Sequence, residues 1–355
     1  MTLKGKKNHY GVKLLRGYGC SIRLKDKKVI LRGGTDIFTG KAETEEWFVS
    51  QIPYERVVVC GKGYLSTDAI SLLSQKNVNV ILLDSFGNLV CNMSTVMTSN
   101  TATKYRMGQY DAFRNPEKIR YLQNKLVKDK IGSQVNFLKS VGNGGQDRID
   151  AIAKYLFLVD GTRDKRELLT IESRVGNLYF RTYASLFDEK YGFESRRGGG
   201  LVMSNRYAPD VINGLLNYGY SVLASEIARF VHGLGLDPYY GFYHKADTSF
   251  QALVYDLIEP FRWLVEYAVY KVASDTNHNH PITRKEYAWT REGRIILDND
   301  LIRRFFETLK RKFQSERLYR FNHGLRRKNG MSMCQEITIV KIYVQHLTDF
   351  CGSSK

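Results

Sequence analysis

The sequence predicts an α+β chain, with a small β-rich N-terminal domain holding one helix and a larger all-helical C-terminal domain. Two observations predict it. Through residues 9–98 the apolar residues come in short runs rich in Val, Ile and Leu, bounded by Gly, Asp or Asn, as in strands. After residue 103 they recur three or four apart, the period of helices. The polar, small-residue segment NMSTVMTSNTAT at 92–103 lies between and reads as a linker, so the expected domains are 1–91 and 104–355.

In order, YGVKLLRGYGCSIRL, KKVILRG, RVVVCG and VNVILLDSFGNLVCNM are the predicted strands. Between the last two, Ser66 to Gln75 reads as a helix capped by Ser66 or Thr67, with Ile70, Leu72 and Leu73 inward. In the second domain helical runs flank Asn115-Pro116, where Pro116 suits a helix start. Tyr121, Leu122, Leu126, Ile131, Val135 and Leu138 then draw a core stripe. A loop at 141–148 follows, then helices near 149–158, 166–189, 210–231, 249–273, 300–315 and 336–350, with GFESRRGGG at 192–200 as a break.

At 355 residues the chain has room for two cores. Its 54 Lys and Arg against 36 Asp and Glu leave a formal charge of +18, which points to a polyanion, nucleic acid first. The excess is +6 over residues 1–100 and +12 over the rest, so it is no tail. No apolar run approaches a membrane span and the start lacks a signal-peptide core, so a soluble, cytoplasmic protein without a membrane partner is expected. Five scattered cysteines without a CxxC pair exclude the common zinc and redox motifs, and read as buried or idle thiols.

Chemistry gathers between Gly241 and Ala273. Leu253, Leu257, Phe261, Leu264, Ala268 and Val272 draw a stripe on a helix that Thr248 or Ser249 is placed to cap. Asp256 and Glu259, three apart, stand side by side on it, about 5–6 Å between Cβ atoms. Like charges there call for compensation, and a divalent cation is the usual agent with His244 just upstream. A solvated polar face is the plain alternative. Pro260 removes a backbone donor and kinks the helix beside Glu259. On the helix KRELLTIESRVGNLYFRTYASLFDEK, Leu168, Ile171, Val175 and Leu178 face the core with Glu172 at the edge. Gly176, one turn on, suggests close approach of another backbone.

Other candidates are weaker. His278 and His280, two apart among Asn and Pro, read as a polar turn. The stretch 303–328 interleaves basic residues with Phe305, Phe306, Phe313, Tyr319 and Phe321. Read as one amphipathic helix, it offers a solvated or a phosphate-tracking face. Arg196 and Arg197, before three glycines, form a basic loop suited to phosphate.

Together these segments resemble the CRISPR-associated integrase family, that of the first Cas protein. LSTDAISLLSQKNVNVILLDSFG, KYRMGQY with KDKIGSQVNFL, IESRVGNLYF, PDVINGLLNYGYSVL, and GLDPYYGFYH with VYDLIEPFR match its motifs in order. Ser173, Val175 and Gly176 stand where many members have Gly and alanines. The resemblance implies that residues 1–91 dimerise and that residues 104–355 are the catalytic domain. It also implies a homodimer working with the small ferredoxin-like second Cas protein, and insertion of short duplex DNA into a CRISPR array for antiviral defence. It puts the family's metal ligands on Glu172, His244 and Glu259, with Asp256 in support. Tyr218, Tyr255 and Arg262 join Arg196 and Arg197 as expected DNA contacts.

The chemistry implied is transesterification. Mg²⁺ or Mn²⁺ polarises a phosphodiester and lowers the pKa of an attacking 3′-hydroxyl, and oxygen-rich ligation favours these ions over zinc. A metal-dependent nuclease of branched repair intermediates and a non-catalytic DNA-binding scaffold are the alternatives.

Overall fold

The computed structural model describes residues 12–35, 41–54, 56–76, 78–84, 89–93, 102–142, 145–196, 208–244, 251–274, 280–291, 295–320 and 331–352. The fold is mixed α+β, with its main sheet N-terminal and most helices C-terminal. Two compact units are formed by Met1–Val96, Arg197–Ser225 and Lys271–Lys310, and by Met97–Arg196, Glu226–Tyr270 and Arg311–Lys355. The first crossing falls in the segment read as a linker, but the chain crosses between the units again further on.

The first unit is built on a six-stranded sheet. Its strands are β1 (Val12–Lys25), β2 (Lys28–Arg32), β3 (Thr44–Phe48), β4 (Arg56–Leu65), β5 (Asn79–Leu83) and β6 (Leu89–Met93), in the order β3-β2-β1-β4-β5-β6. β1, β4 and β5 run parallel, and the outer pairs are antiparallel. β1 and β4 meet at glycines because nothing larger fits: a Cβ on Gly61 would lie 2.2 Å from the Gly17 carbonyl oxygen. Helix α1 (Thr67–Gln75) starts where Ser66 Oγ accepts from the Ala69 N–H. It buries Ala69 and Leu73 on Leu15, Ile22, Leu31, Val57 and Val80, with Ile70 half-covered. Strand β3, TEEWF, is not among the predicted strands because its two glutamates hide the period; Glu45 is held by Lys13 and by Trp47 and Tyr54.

Four helices open the second unit: α2 (Ala102–Arg114), α3 (Pro116–Val141), α4 (Gln146–Ala153) and α5 (Tyr155–Gly161). Asn115 caps α3, its side chain accepting from Glu117 and Lys118 N–H groups with Pro116 in the first turn, and left-handed Gly142 (φ 73°) ends it. The stripe Leu122, Leu126, Ile131, Val135 and Leu138 is buried. Tyr121 is not: it is 55% exposed, stacked on Phe350 at the surface. Helix α6 (Lys165–Ala184), capped by Asp164, buries Leu168, Ile171, Val175 and Tyr179, with Leu178 half-buried.

The long helix predicted at 249–273 is interrupted. Within the described residues α8 (Ala252–Ile258) gives way to a 3₁₀ turn, Glu259–Phe261, and then α9 (Arg262–Ser274), because Pro260 cannot continue the ladder. Thr248 and Ser249, the expected caps, lie outside the described residues. α7 (Val211–Gly233) begins in the first unit and ends in the second.

The stretch 303–328 is not one helix. α10 (Asn299–Gln314) stops at Ser315, and Glu316–Arg320 forms β9, paired with β10 (Met331–Gln335) ahead of α11 (Glu336–Gly352). A small hairpin, β7 (Tyr287–Trp289) and β8 (Ile295–Leu297), belongs to the first unit, where Leu297 and Ile295 pack on Gly214. Cys20, Cys60 and Cys351 are buried thiols, whereas Cys91 is exposed. Among the described residues no helix is long and apolar enough to cross a membrane.

Candidate active site

The second unit brings Glu172 on α6, His244 in the turn after Gly241, and Asp256 and Glu259 around the kink into one cluster with Lys130 of α3. α3 and α6 are held by their caps and buried stripes, so Lys130 and Glu172 are presented from fixed backbones. A Cβ at Gly176, one turn beyond Glu172, would meet nothing within 4 Å among the described residues, so they show no close approach there.

Asp256 organises the turn. Fully buried, it accepts the backbone N–H groups of Phe242 (2.7 Å), Tyr243 (3.0 Å) and His244 (2.9 Å), and the His244 ring through Nδ1 at 2.6 Å. A carboxylate oxygen only accepts, so Nδ1 carries the proton and Nε2 of the neutral ring carries the lone pair. Gln123 of α3 clamps the same turn by donating to the Phe242 carbonyl at 2.6 Å. Gly241 makes room: a Cβ there would lie 2.7 Å from Asp256 Oδ2 and 2.9 Å from Ala252 Cβ.

The other carboxylates converge on one cationic position. Glu172 Oε2 accepts from the Tyr243 hydroxyl at 2.5 Å, and Lys165 fixes Tyr243 by donating to its carbonyl at 2.6 Å. Burial and the Glu172 charge push the Tyr243 phenol well above its ordinary pKa. Glu259 Oε1 faces Arg262, with Nε at 2.9 Å and the terminal nitrogen at 2.7 Å. The remaining oxygens, Glu172 Oε1 and Glu259 Oε2, lie 2.6 and 2.7 Å from Lys130 Nζ. Burial opposes the Glu259 charge, but Arg262 and Lys130 overcome it and push its pKa down to about 2. Lys130 answers in kind: burial disfavours its charge, yet Glu259 and Glu172 hold its pKa above the ordinary value.

Two carboxylates and an imidazole whose lone-pair nitrogen is set by a supporting carboxylate form a donor set that suits a divalent cation with open positions. Glu259 Oε2 is buried without a hydrogen bond, because Lys130 reaches it at the distance of an ion pair and outside hydrogen-bonding geometry. That unsatisfied oxygen fits a metal ligand. Among the described residues no three His, Cys, Asp or Glu side chains already form a metal cage, and the cation between Glu172 and Glu259 is the lysine ammonium.

The remaining predicted residues stand differently. Tyr255 is half-buried and lies within electrostatic reach of Arg262. Arg262 is committed to Glu259, and Arg196 is half-buried. Tyr218 belongs to the first unit, where it is 3% exposed with its hydroxyl 3.3 Å from Cys60 Sγ, so its covered ring offers no stacking face. Arg197 and His278 lie outside the described residues, while His280 is exposed and bonded to its neighbour's carbonyl, as a polar turn. Several cations of the basic stretch have partners within the chain: Arg317 on Glu336, Arg304 on Glu286 and His280, and Lys312 over Trp263 and Tyr267. Sequence reasoning gave no role to Lys130, Lys165, Gly241 or Tyr243, although KDKIGSQVNFL, KRELLTIESRVGNLYFRTYASLFDEK and GLDPYYGFYH marked their neighbourhoods.

The family model for CRISPR associated protein Cas1 matches residues 14–311. The chain belongs to the Cas1 family. Among Cas1 relatives, CRISPR-associated endonuclease Cas1 1 of Archaeoglobus fulgidus is 31% identical over 227 residues, 59% of this chain and 64% of that protein. CRISPR-associated protein Cas1 3 of Methanobrevibacter ruminantium is 26% identical over 276 residues, 74% and 77% of the two chains. The match thus spans just under two thirds of the Archaeoglobus Cas1. In fold, the chain is similar to a casposase bound to integration product, with TM-score 0.79, 23% identity and 97% and 91% of the two chains covered. A CAS1 protein from Thermotoga maritima follows at TM-score 0.72, 17% identity and 96% of each chain.

Proposed function

We propose that this Cas1 family member inserts short duplex DNA into a CRISPR array by phosphodiester exchange, with Glu172, His244 and Glu259 as metal ligands. The observation that carries this reading is the convergence of Glu172 and Glu259 on one cationic position beside a histidine whose tautomer Asp256 fixes. In the exchange an incoming 3′-hydroxyl oxygen bonds to phosphorus as the bond to another 3′-oxygen breaks. That oxygen leaves with a proton, so bond count is conserved and no ATP is needed. Mg²⁺ or Mn²⁺, when bound, supplies charge to polarise the phosphodiester and acidify the hydroxyl.

The chain's own residues do the positioning. Asp256 keeps Nδ1 protonated and the 242–244 turn closed, and Tyr243 orients Glu172. Arg262 keeps Glu259 charged despite its burial. The +18 charge supplies sequence-independent backbone affinity that falls steeply with salt. A casposase bound to integration product, and a Cas6-RT-Cas1–Cas2 complex to which this fold is similar at TM-score 0.70 and 18% identity over 35% of that chain, support an integration substrate and a second Cas protein as partners. A homodimer formed through the β-rich domain is part of the same reading.

Water in place of the hydroxyl turns the same site into a nuclease, and the endonuclease names of the relatives favour this as the second reading. The test is strand transfer by the purified protein on branched and array-containing DNA with Mn²⁺. Joined strands that vanish with chelator are expected. Cleavage without joining supports the nuclease. Chelator-indifferent binding with every phosphodiester intact means a scaffold and overturns the proposal.

A further inference from the structure

Glu172 and Glu259 each have one oxygen committed to a fixed neighbour and one turned inward. Tyr243 takes Glu172 Oε2, and the Arg262 guanidinium takes Glu259 Oε1 with two nitrogens. The inward oxygens, Glu172 Oε1 and Glu259 Oε2, share a single cation, Lys130 Nζ. Their side chains are 19% and 4% exposed and that of Lys130 is 16%, so little water screens them. Without a cation, two carboxylates from separate helices repel each other there.

The two positive neighbours differ in how firmly they are held. Arg262 lies three residues from Glu259 along the chain, and its planar fork is matched to one oxygen. Lys130 is a point charge on a four-carbon stem, and its contact with Glu259 lacks hydrogen-bonding geometry. Its hold on Glu259 is mainly charge, which a divalent ion supplies twice over. The backbone that carries Lys130 stays fixed by buried Val127, Ile131 and Gln134, so only the side chain has to leave.

We infer that Lys130 is a built-in counter-cation that occupies the position between Glu172 and Glu259 and must withdraw for a divalent metal to enter. The lysine holds the metal-free site together and weakens metal binding. The inference rests on the metal-site reading above and adds a competing residue to it.

The experiment is Mn²⁺ binding to the full chain without DNA, by calorimetry and by the spin resonance of unbound Mn²⁺, for wild type, Lys130→Met, Arg262→Gln and Glu172→Gln. Lys130→Met is expected to bind Mn²⁺ about tenfold or more tightly than wild type, and Glu172→Gln to lose the site. Equal or weaker binding by Lys130→Met while Glu172→Gln still abolishes binding overturns the role of Lys130 and leaves the metal site standing. Arg262→Gln removes an equal charge from the same carboxylate; tightening as large as that of Lys130→Met reduces the effect to general electrostatics and also overturns the inference. If no variant binds Mn²⁺, both the inference and the metal-site reading fail. Thermal melts in Mn²⁺ and in chelator cover a variant that folds only with metal. Lys130→Met is expected to gain more in Tm from Mn²⁺ than wild type, and an equal gain counts against the inference.

Discussion

Replacing Glu172 or His244 by alanine is expected to lower strand transfer more than about 100-fold, the upper end of what losing a residue that merely supports a ligand costs. Glu172 holds one side of the shared cationic position, and Asp256 fixes His244 by one hydrogen bond to its ring and three to the backbone of its turn. Alanine at 172 also strips Lys130 and Tyr243 of a partner, so the variant should be checked by thermal melt. The informative result is a large activity loss with DNA binding retained, because on the proposed function affinity comes from phosphate contacts spread over a basic chain. Transfer within a fewfold of wild type in both variants would remove these residues from the chemistry.

The second large effect belongs to Asp256. Asparagine keeps the shape but replaces one acceptor oxygen by a donor, and both oxygens of Asp256 face only N–H groups. At least one buried donor then loses its partner, at about 1–3 kcal/mol each. If the amide oxygen turns to the backbone, its NH₂ faces the imidazole and drives the proton to Nε2, the nitrogen that the proposed metal site uses as a ligand. Asp256→Asn should therefore lose about 2–4 kcal/mol in denaturant unfolding and transfer about 10- to 100-fold less DNA. Wild-type stability with wild-type transfer would show that the turn does not depend on this carboxylate.

How much of this was legible in the sequence follows from where each signal resides. Strands β1, β2, β4 and β5 and the helices α3, α6, α8 and α9 announce themselves because burial writes a local period. Pro260 disclosed the kink, since its missing donor acts wherever it sits. Asp256 and Glu259 looked equivalent, because spacing along a helix cannot say that one ties down a turn while the other faces two cations. That difference comes from residues 12–14 positions before Asp256, and from Lys130 129 positions before Glu259. Lys130 itself looked like one of many cations on the polar side of a core stripe. The helix predicted at 300–315 is α10, but the helical reading of the whole stretch 303–328 does not hold: ERLYR alternates, and its neighbours carry so many charges that period two and period 3.6 are indistinguishable until β10 supplies a partner. Gly176 misled because a glycine in a helix has more than one use, and among the described residues a Cβ there would meet nothing within 4 Å.

The central claim is that Glu172, His244 and Glu259 hold one catalytic divalent ion. A crystal soaked with Mn²⁺, with anomalous density collected at the manganese edge, tests it most directly. A single peak bonded to all three side chains is expected, with the Lys130 ammonium moved out of the gap between the carboxylates. A peak elsewhere, or Lys130 still between Glu172 and Glu259 in crystals whose protein performs Mn²⁺-dependent transfer, would contradict it.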